Sequence, residues 1–171
     1  MPKPNPLKRH KSIQPVSREH HHGLLLCWKI KEGFKQQIAI ERMKKYADQF
    51  WTHHLQPHFL FEEKYMFPIL EIGHSLITRA LNEHASLKEL FNATEGIEQS
   101  LTGIVEELAA HIRFEERELF QEIQAHASLE QLATIEQAHS TILADHWEDE
   151  FWVGPKQLEK QTPFIQPFSL R

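Results

Sequence analysis

The chain has 171 residues, 40% of them hydrophobic and 25% charged, which describes an ordinary soluble domain and excludes a disordered or fibrous chain. A formal net charge of −5 argues against nucleic acid or an anionic membrane surface as the main partner, and no apolar run is long enough to span a bilayer. Cys27 is the single cysteine; set among Leu24, Leu25, Leu26 and Trp28 it reads as a buried thiol in a reducing compartment, so a cytoplasmic location is expected.

Residues 1–16 hold four prolines together with Lys3, Lys8, Arg9 and Lys11, which predicts an extended basic arm without the apolar segment of a secretory signal. Ser17 is a plausible N-cap for a first helix carrying Leu24, Cys27, Phe34 and Ile38 at helical spacing, with Gly33 as a possible interruption. A second helix is expected over about 38–66, with Ile40, Met43, Ala47, Phe50, Leu55 and Phe59 inward and a kink or break near 53–57 caused by Pro57. Pro68 and Gly73 mark a turn. A third helix is expected over about 75–93 (Leu76, Ala80, Leu87, Phe91) and a fourth over about 97–124 (Ile104, Leu108, Ile112, Leu119). Ser128 caps a fifth stretch expected to be helical to about 150. Residues 151–171 form a tail whose Phe164, Ile165 and Phe168 suggest a homodimer contact or a protein client. No segment alternates with period two. The fold class is therefore all-α: an up-down four-helix bundle over 17–124, an additional helix over 125–150, and extended terminal arms.

Thirteen histidines is roughly three times ordinary usage, and two segments explain why that matters. HFLFEEKYMFP at 58–68 and HIRFEERELFQ at 111–121 share His, Phe, Glu, Glu and Phe at the same offsets. In each, a histidine precedes a glutamate by four positions: His58/Glu62 and His111/Glu115. Residues i and i+4 lie about 40° apart on a helix, one turn apart along its axis, so imidazole and carboxylate can converge on one point. Phe61 and Phe114 supply aromatic bulk beside that point. Charged groups directed into a dry core demand a cation. The third helix then offers His84 on its apolar side, at near-equal spacing from 58 and 111. The first offers His20, His21 and His22; phase favours His20, whose steps of 7, 14 and 18 reach Cys27, Phe34 and Ile38, with His21 the next choice. His54, Tyr65, His139 and His146 are expected to face solvent or to serve packing. Other chemistries (HExxH, CxxC pairs, phosphate-binding glycine loops, GxSxG) have no match.

These residues resemble the hemerythrin family, the HHE cation-binding domain, over about residues 16–122. The resemblance rests on Glu19-His20, the two HxxxEE segments and Glu83-His84. It implies two iron ions, carboxylate- and oxo-bridged, with His20 (or His21), His58, His84 and His111 as terminal ligands and Glu62 and Glu115 as bridges. The chain departs from the oxygen carriers of the family, having Lys88 where they place a second third-helix histidine, and His111-x-x-x-Glu115 where they use a longer spacing to Asp. The implied ligands are O2, nitric oxide or peroxide, and the implied role is a metal-binding protein rather than an enzyme. An iron-donating, iron-sensing or iron-storing module is the alternative, and a metal-free helical bundle the second.

Overall fold

The computed structural model describes residues 8–140 and 147–154. The described residues are helical, with no strand among them. Helix α1 covers Gln14–Lys35. A rod over 40–66, here α2, runs through α-helical Ile40–Phe50, a π-helical turn Trp51–Leu55, Gln56–Phe61 and a second π-helical turn Glu62–Met66. Helix α3 covers Ser75–Phe91. Rod α4, over 97–126, comprises Ile97–Phe114, a π-helical turn Glu115–Leu119 and Phe120–His126. Helix α5, Leu129–Ala138, starts on a capping box between Ser128 and Gln131.

Two apolar clusters form the core. One gathers residues such as Leu26, Ile30, Met43, Phe50, Leu87, Phe91, Ile104 and Leu108; the other gathers Ile13, Val16, Met66, Ala80, Phe114, Phe120 and Ile135. Along α1 the second cluster comes first, along α2 the first does, and the order reverses again in α3 and in α4. Each helix therefore runs opposite to the one before it, as the short connections require. The histidine and glutamate pairs lie at the crossover between clusters in all four.

Several boundaries differ from the sequence expectation. Helix α1 begins at Gln14, ahead of Ser17, because Pro15 fits a first helical turn where no backbone donor is needed. The described part of the expected arm is thus built into the fold: Ser12, Ile13 and Val16 are buried and Arg9 pairs with Glu116 at 2.7 Å. Pro57 does not break α2; the wider π turn just before it accommodates the missing amide, and the rod continues. Leu24 is exposed, and Gly23 and Leu26 are buried instead.

The fifth helix ends at Ala138, and residues 147–154 form turns rather than more helix. They lie against the bundle through Phe151, a bidentate Arg42–Asp149 pair and a Gln36 amide donating to the Trp152 carbonyl at 3.1 Å. Phe164, Ile165 and Phe168 fall outside the described residues.

Gly33 does not interrupt α1. A Cβ there would come within 3.0 Å of Met43 Cγ and Phe151 Cε2, and closer still to Met43 Sδ. Gly33→Ala is expected to destabilise the protein by about 1–3 kcal/mol through overpacking, despite alanine's better helix propensity. A urea midpoint equal to or above that of the parent protein would contradict this.

Candidate metal centre

His20 projects from α1, His58 and Glu62 from α2, His84 from α3, and His111 and Glu115 from α4, and all six are buried, both carboxylates completely. The four Nε2 atoms and all four carboxylate oxygens are enclosed and have no hydrogen-bond partner. They form two groups. His20 and His58 meet one oxygen from each glutamate: His20 Nε2 lies 3.1 Å from Glu115 Oε2 and 3.7 Å from Glu62 Oε1, and His58 Nε2 lies 3.0 Å from Glu62 Oε1. His84 and His111 meet the other two oxygens: His84 Nε2 is 3.5 Å from Glu62 Oε2 and 3.7 Å from Glu115 Oε1, and His111 Nε2 is 3.3 Å from Glu115 Oε1. Within each group the donor atoms lie within 4.8 Å of one another, so each could hold a metal ion, with both carboxylates shared between the two.

Such enclosed, unpaired polar atoms would cost several kcal/mol in a dry core. The opposite edge of each imidazole is satisfied. His20 Nδ1 contacts Glu116 at 2.7 Å, His58 Nδ1 contacts Glu19 at 2.7 Å, His84 Nδ1 contacts Glu63 at 2.8 Å and His111 Nδ1 contacts Glu83 at 2.7 Å. A carboxylate on Nδ1 holds the Nδ1–H tautomer and leaves the Nε2 lone pair pointing inward, the form a cation requires. The wiring is crossed. The glutamate before His20 supports His58, the glutamate before His84 supports His111, and the glutamates after Glu62 and Glu115 support His84 and His20. The donor set and its supports thus repeat with approximate two-fold symmetry.

A family model described as the hemerythrin HHE cation-binding domain matches residues 12–123, well over half of the chain. The chain belongs to the hemerythrin HHE cation-binding family. Comparison with curated proteins and with solved structures gives no match.

In this hemerythrin domain each supporting glutamate has its own surroundings. Glu19 also meets His139 Nε2 at 2.8 Å, and Glu83 accepts from Arg79 Nε at 2.7 Å. Glu116 accepts from Ser17 Oγ at 2.6 Å and from Arg9 Nη2 at 2.7 Å. Glu63 is 37% exposed at its side chain. Glu19→Gln is expected to weaken metal binding 10–100-fold, because the amide no longer enforces the tautomer or the basicity of His58. Competition with a calibrated chelator measures this, and an unchanged affinity would refute an orienting role.

Electrostatics follow the same pattern. Burial opposes charge on His20, yet Glu115, Glu116 and Glu62 outweigh it and raise its pKa well above 6.5. Burial likewise opposes protonation of His58, but Glu62 and Glu19 lift it to about 9. His84 is lifted to about 11 by Glu115, Glu62 and Glu63 against the same penalty, and His111 is raised by Glu115 and Glu83. Burial pushes both central carboxyls up, but the imidazoles facing them prevail and hold Glu62 and Glu115 below the usual carboxylate range. Without a cation, protons fill its role.

Other histidines differ from expectation. His21 is exposed, with its ring 6.1 Å from that of His22, and takes no part in the cluster. His54 is buried and stacked on Phe50 at 4.7 Å, on the inward face that residues 50, 54 and 58 share at i,i+4 spacing. His139 is not a surface residue: it ends α5 against Glu19 and Phe61. His146 falls outside the described residues. Tyr65 packs on Phe61 at 5.0 Å. Sequence reasoning assigned no role to Glu19, Glu63, Glu83 and Glu116, although the Glu-His and Glu-Glu doublets that carry them were visible.

The two sides of the centre are not equally accessible. Beside His20 and His58 lies a narrow, mostly apolar chamber lined by His22, Gly23, Phe50, His54, Leu55 and Ile112, with room for about one water-sized molecule. On the other side the Phe59 ring lies flat on His84, with centroids 3.8 Å apart and an interplanar angle of 8°.

Proposed function

We propose that this hemerythrin domain holds two iron ions, one in each donor group, and engages a small oxidant or diatomic ligand, namely O2, nitric oxide or peroxide. The supporting observation is the set of unpaired, fully enclosed imidazole and carboxylate atoms divided into two groups that share both glutamates. Mixed imidazole and carboxylate donors suit iron, although affinity order alone does not select it.

When bound, iron supplies the electrons or the open coordination position that such a ligand needs. The chain's residues do the rest. Glu62 and Glu115 keep the two sites at a fixed separation, and the supporting carboxylates hold each imidazole in register. Phe59 covers one face of the His84 ring. The chamber beside His20 and His58 admits a guest of diatomic size and rejects larger ones.

Metal analysis of untagged protein, followed by visible spectra of the iron-loaded form before and after exposure to O2, nitric oxide and peroxide, tests the reading. Two irons per chain and a new absorption band with at least one of these ligands are expected; absence of iron, or an inert spectrum with all three, would overturn it.

A second reading, an iron-donating or iron-sensing module, draws on the solvent-facing Glu63 beside His84, which offers a path by which an ion could leave. Rapid transfer of iron to a weak chelator with no spectral response to the three ligands would favour it.

A further inference from the structure

We propose that Phe59 and Trp51 form a one-electron route between a metal ion held by His84 and the protein surface. The inference rests on the redox reading given above. Phe59 lies flat on His84 at 3.8 Å and edge-on to His111 at 5.4 Å. Trp51 meets Phe59 edge-on at 5.8 Å and is stacked on Phe91 at 5.0 Å. Trp51 and Phe59 also line an open surface groove that Glu63 and His84 border as well. An indole 8% exposed therefore stands two ring contacts from a candidate ligand on one side and borders the groove on the other.

The chemistry of the rings assigns their parts. Indole loses an electron more readily than benzene, so Trp51 is the stopping point and Phe59 only the bridge. The other imidazole pair is differently placed: His20 is stacked on Phe120, which is itself fully buried.

In the step, Trp51 gives one electron through Phe59 to iron that hydrogen peroxide has oxidised. Its ring N–H proton would pass to water, and an iron ion held by His84 would supply the one-electron acceptor. A one-electron donor in solution, such as ascorbate, together with a proton from water, restores the indole. Without a donor, a second electron follows and water adds its hydroxyl to the ring. The indole and that water together lose two electrons and two protons, which peroxide takes up; one tryptophan and one hydrogen peroxide become one hydroxytryptophan and one water. The route would let the centre discharge an excess oxidising equivalent away from its own ligands.

Exposure provides the contrast for a test, since Trp28 is 48% exposed and Trp51 8%. Iron-loaded protein is treated with stoichiometric peroxide, and oxidised tryptophans are mapped by peptide mass spectrometry, with zinc-loaded protein as the redox-inert control. The expected result is oxidation of Trp51 ahead of Trp28 with iron, no oxidation of Trp51 beyond that of the untreated protein with zinc, and suppression of Trp51 oxidation by ascorbate. Phe59→Leu is expected to abolish the preference for Trp51 while peroxide consumption continues. Peroxide consumed with Trp28 oxidised first in the parent protein would overturn the route alone, as would a preference for Trp51 that survives Phe59→Leu. Iron-loaded protein that leaves peroxide untouched would overturn both the route and the redox reading. The comparison of iron with zinc in the parent protein decides the matter even if the variant does not fold.

Discussion

Glu62→Gln protein is expected to purify with less than half the iron of the parent, and the loss should affect both ions rather than one. Glu62 places one oxygen against His20 and His58 and the other against His84. An amide offers a single weak oxygen donor and no charge, so it cannot serve two cations at once. The substitution is nearly isosteric, so the helices should survive it, and far-UV circular dichroism should be unchanged. His21→Ala, at an exposed position on the same helix as His20, is the matched control and should retain its iron. Full occupancy of the Glu62→Gln protein, measured by elemental analysis after dialysis against a weak chelator, would contradict the shared-carboxylate arrangement.

The second large effect is an alkaline loss of stability in the metal-free protein that metal loading removes. Without metal, His58 has its pKa raised from 6.5 to about 9. Its contribution to stability is fully present below about 6.5 and is lost as pH rises through about 9. The loss is on the order of 2–3 kcal/mol, enough to lower the melting temperature by about 5–10 °C between pH 7 and pH 10. His84, raised to about 11, loses its contribution progressively from about 6.5 up through about 11, so its loss adds to that of His58 across this range. Glu62 and Glu115 act at the other end: with folded pKa values below the usual range, they stabilise above that range, and the contribution is lost as pH falls through the depressed values. A cation removes the alkaline limb. It needs neutral imidazoles, so loading expels one proton from each protonated ring, and affinity should rise by about tenfold per pH unit for each proton displaced. Metal-loaded protein should accordingly be more stable, relative to the metal-free form, at pH 9 than at pH 7. Thermal melts with and without a strong chelator across this range measure the difference, and parallel curves would refute it.

Much of the bundle could be read from apolar spacing alone. Met43, Ala47, Phe50, Leu87, Phe91, Ile104 and Leu108 recur at helical intervals, and each is buried. The i,i+4 pairs were legible for the same reason: helix geometry fixes which side chains share a face. Contacts between helices could not be read that way. Glu19, Glu63, Glu83 and Glu116 look like surface glutamates, because each finds its histidine on another helix. His54 was misjudged although it shares a face with His58 and Phe50 at i,i+4 spacing, and His139 because its burial depends on where α5 ends. The π turns themselves left no periodic trace, since each shifts the helical phase for everything after it, and Pro57 pointed to a break where a widened turn absorbed it instead.

The sharing of carboxylates has a further consequence. Helices α1 and α2 supply three residues to one donor group and lend an oxygen to the other; α3 and α4 do the same in return. Neither half of the chain completes a donor group by itself, so ions bound there would act as rivets between two helical hairpins. Cleavage of the exposed link at Ile72–Gly73 would sever the polypeptide, and the two halves would then be held by the shared apolar clusters and by any cations bound at the shared carboxylates.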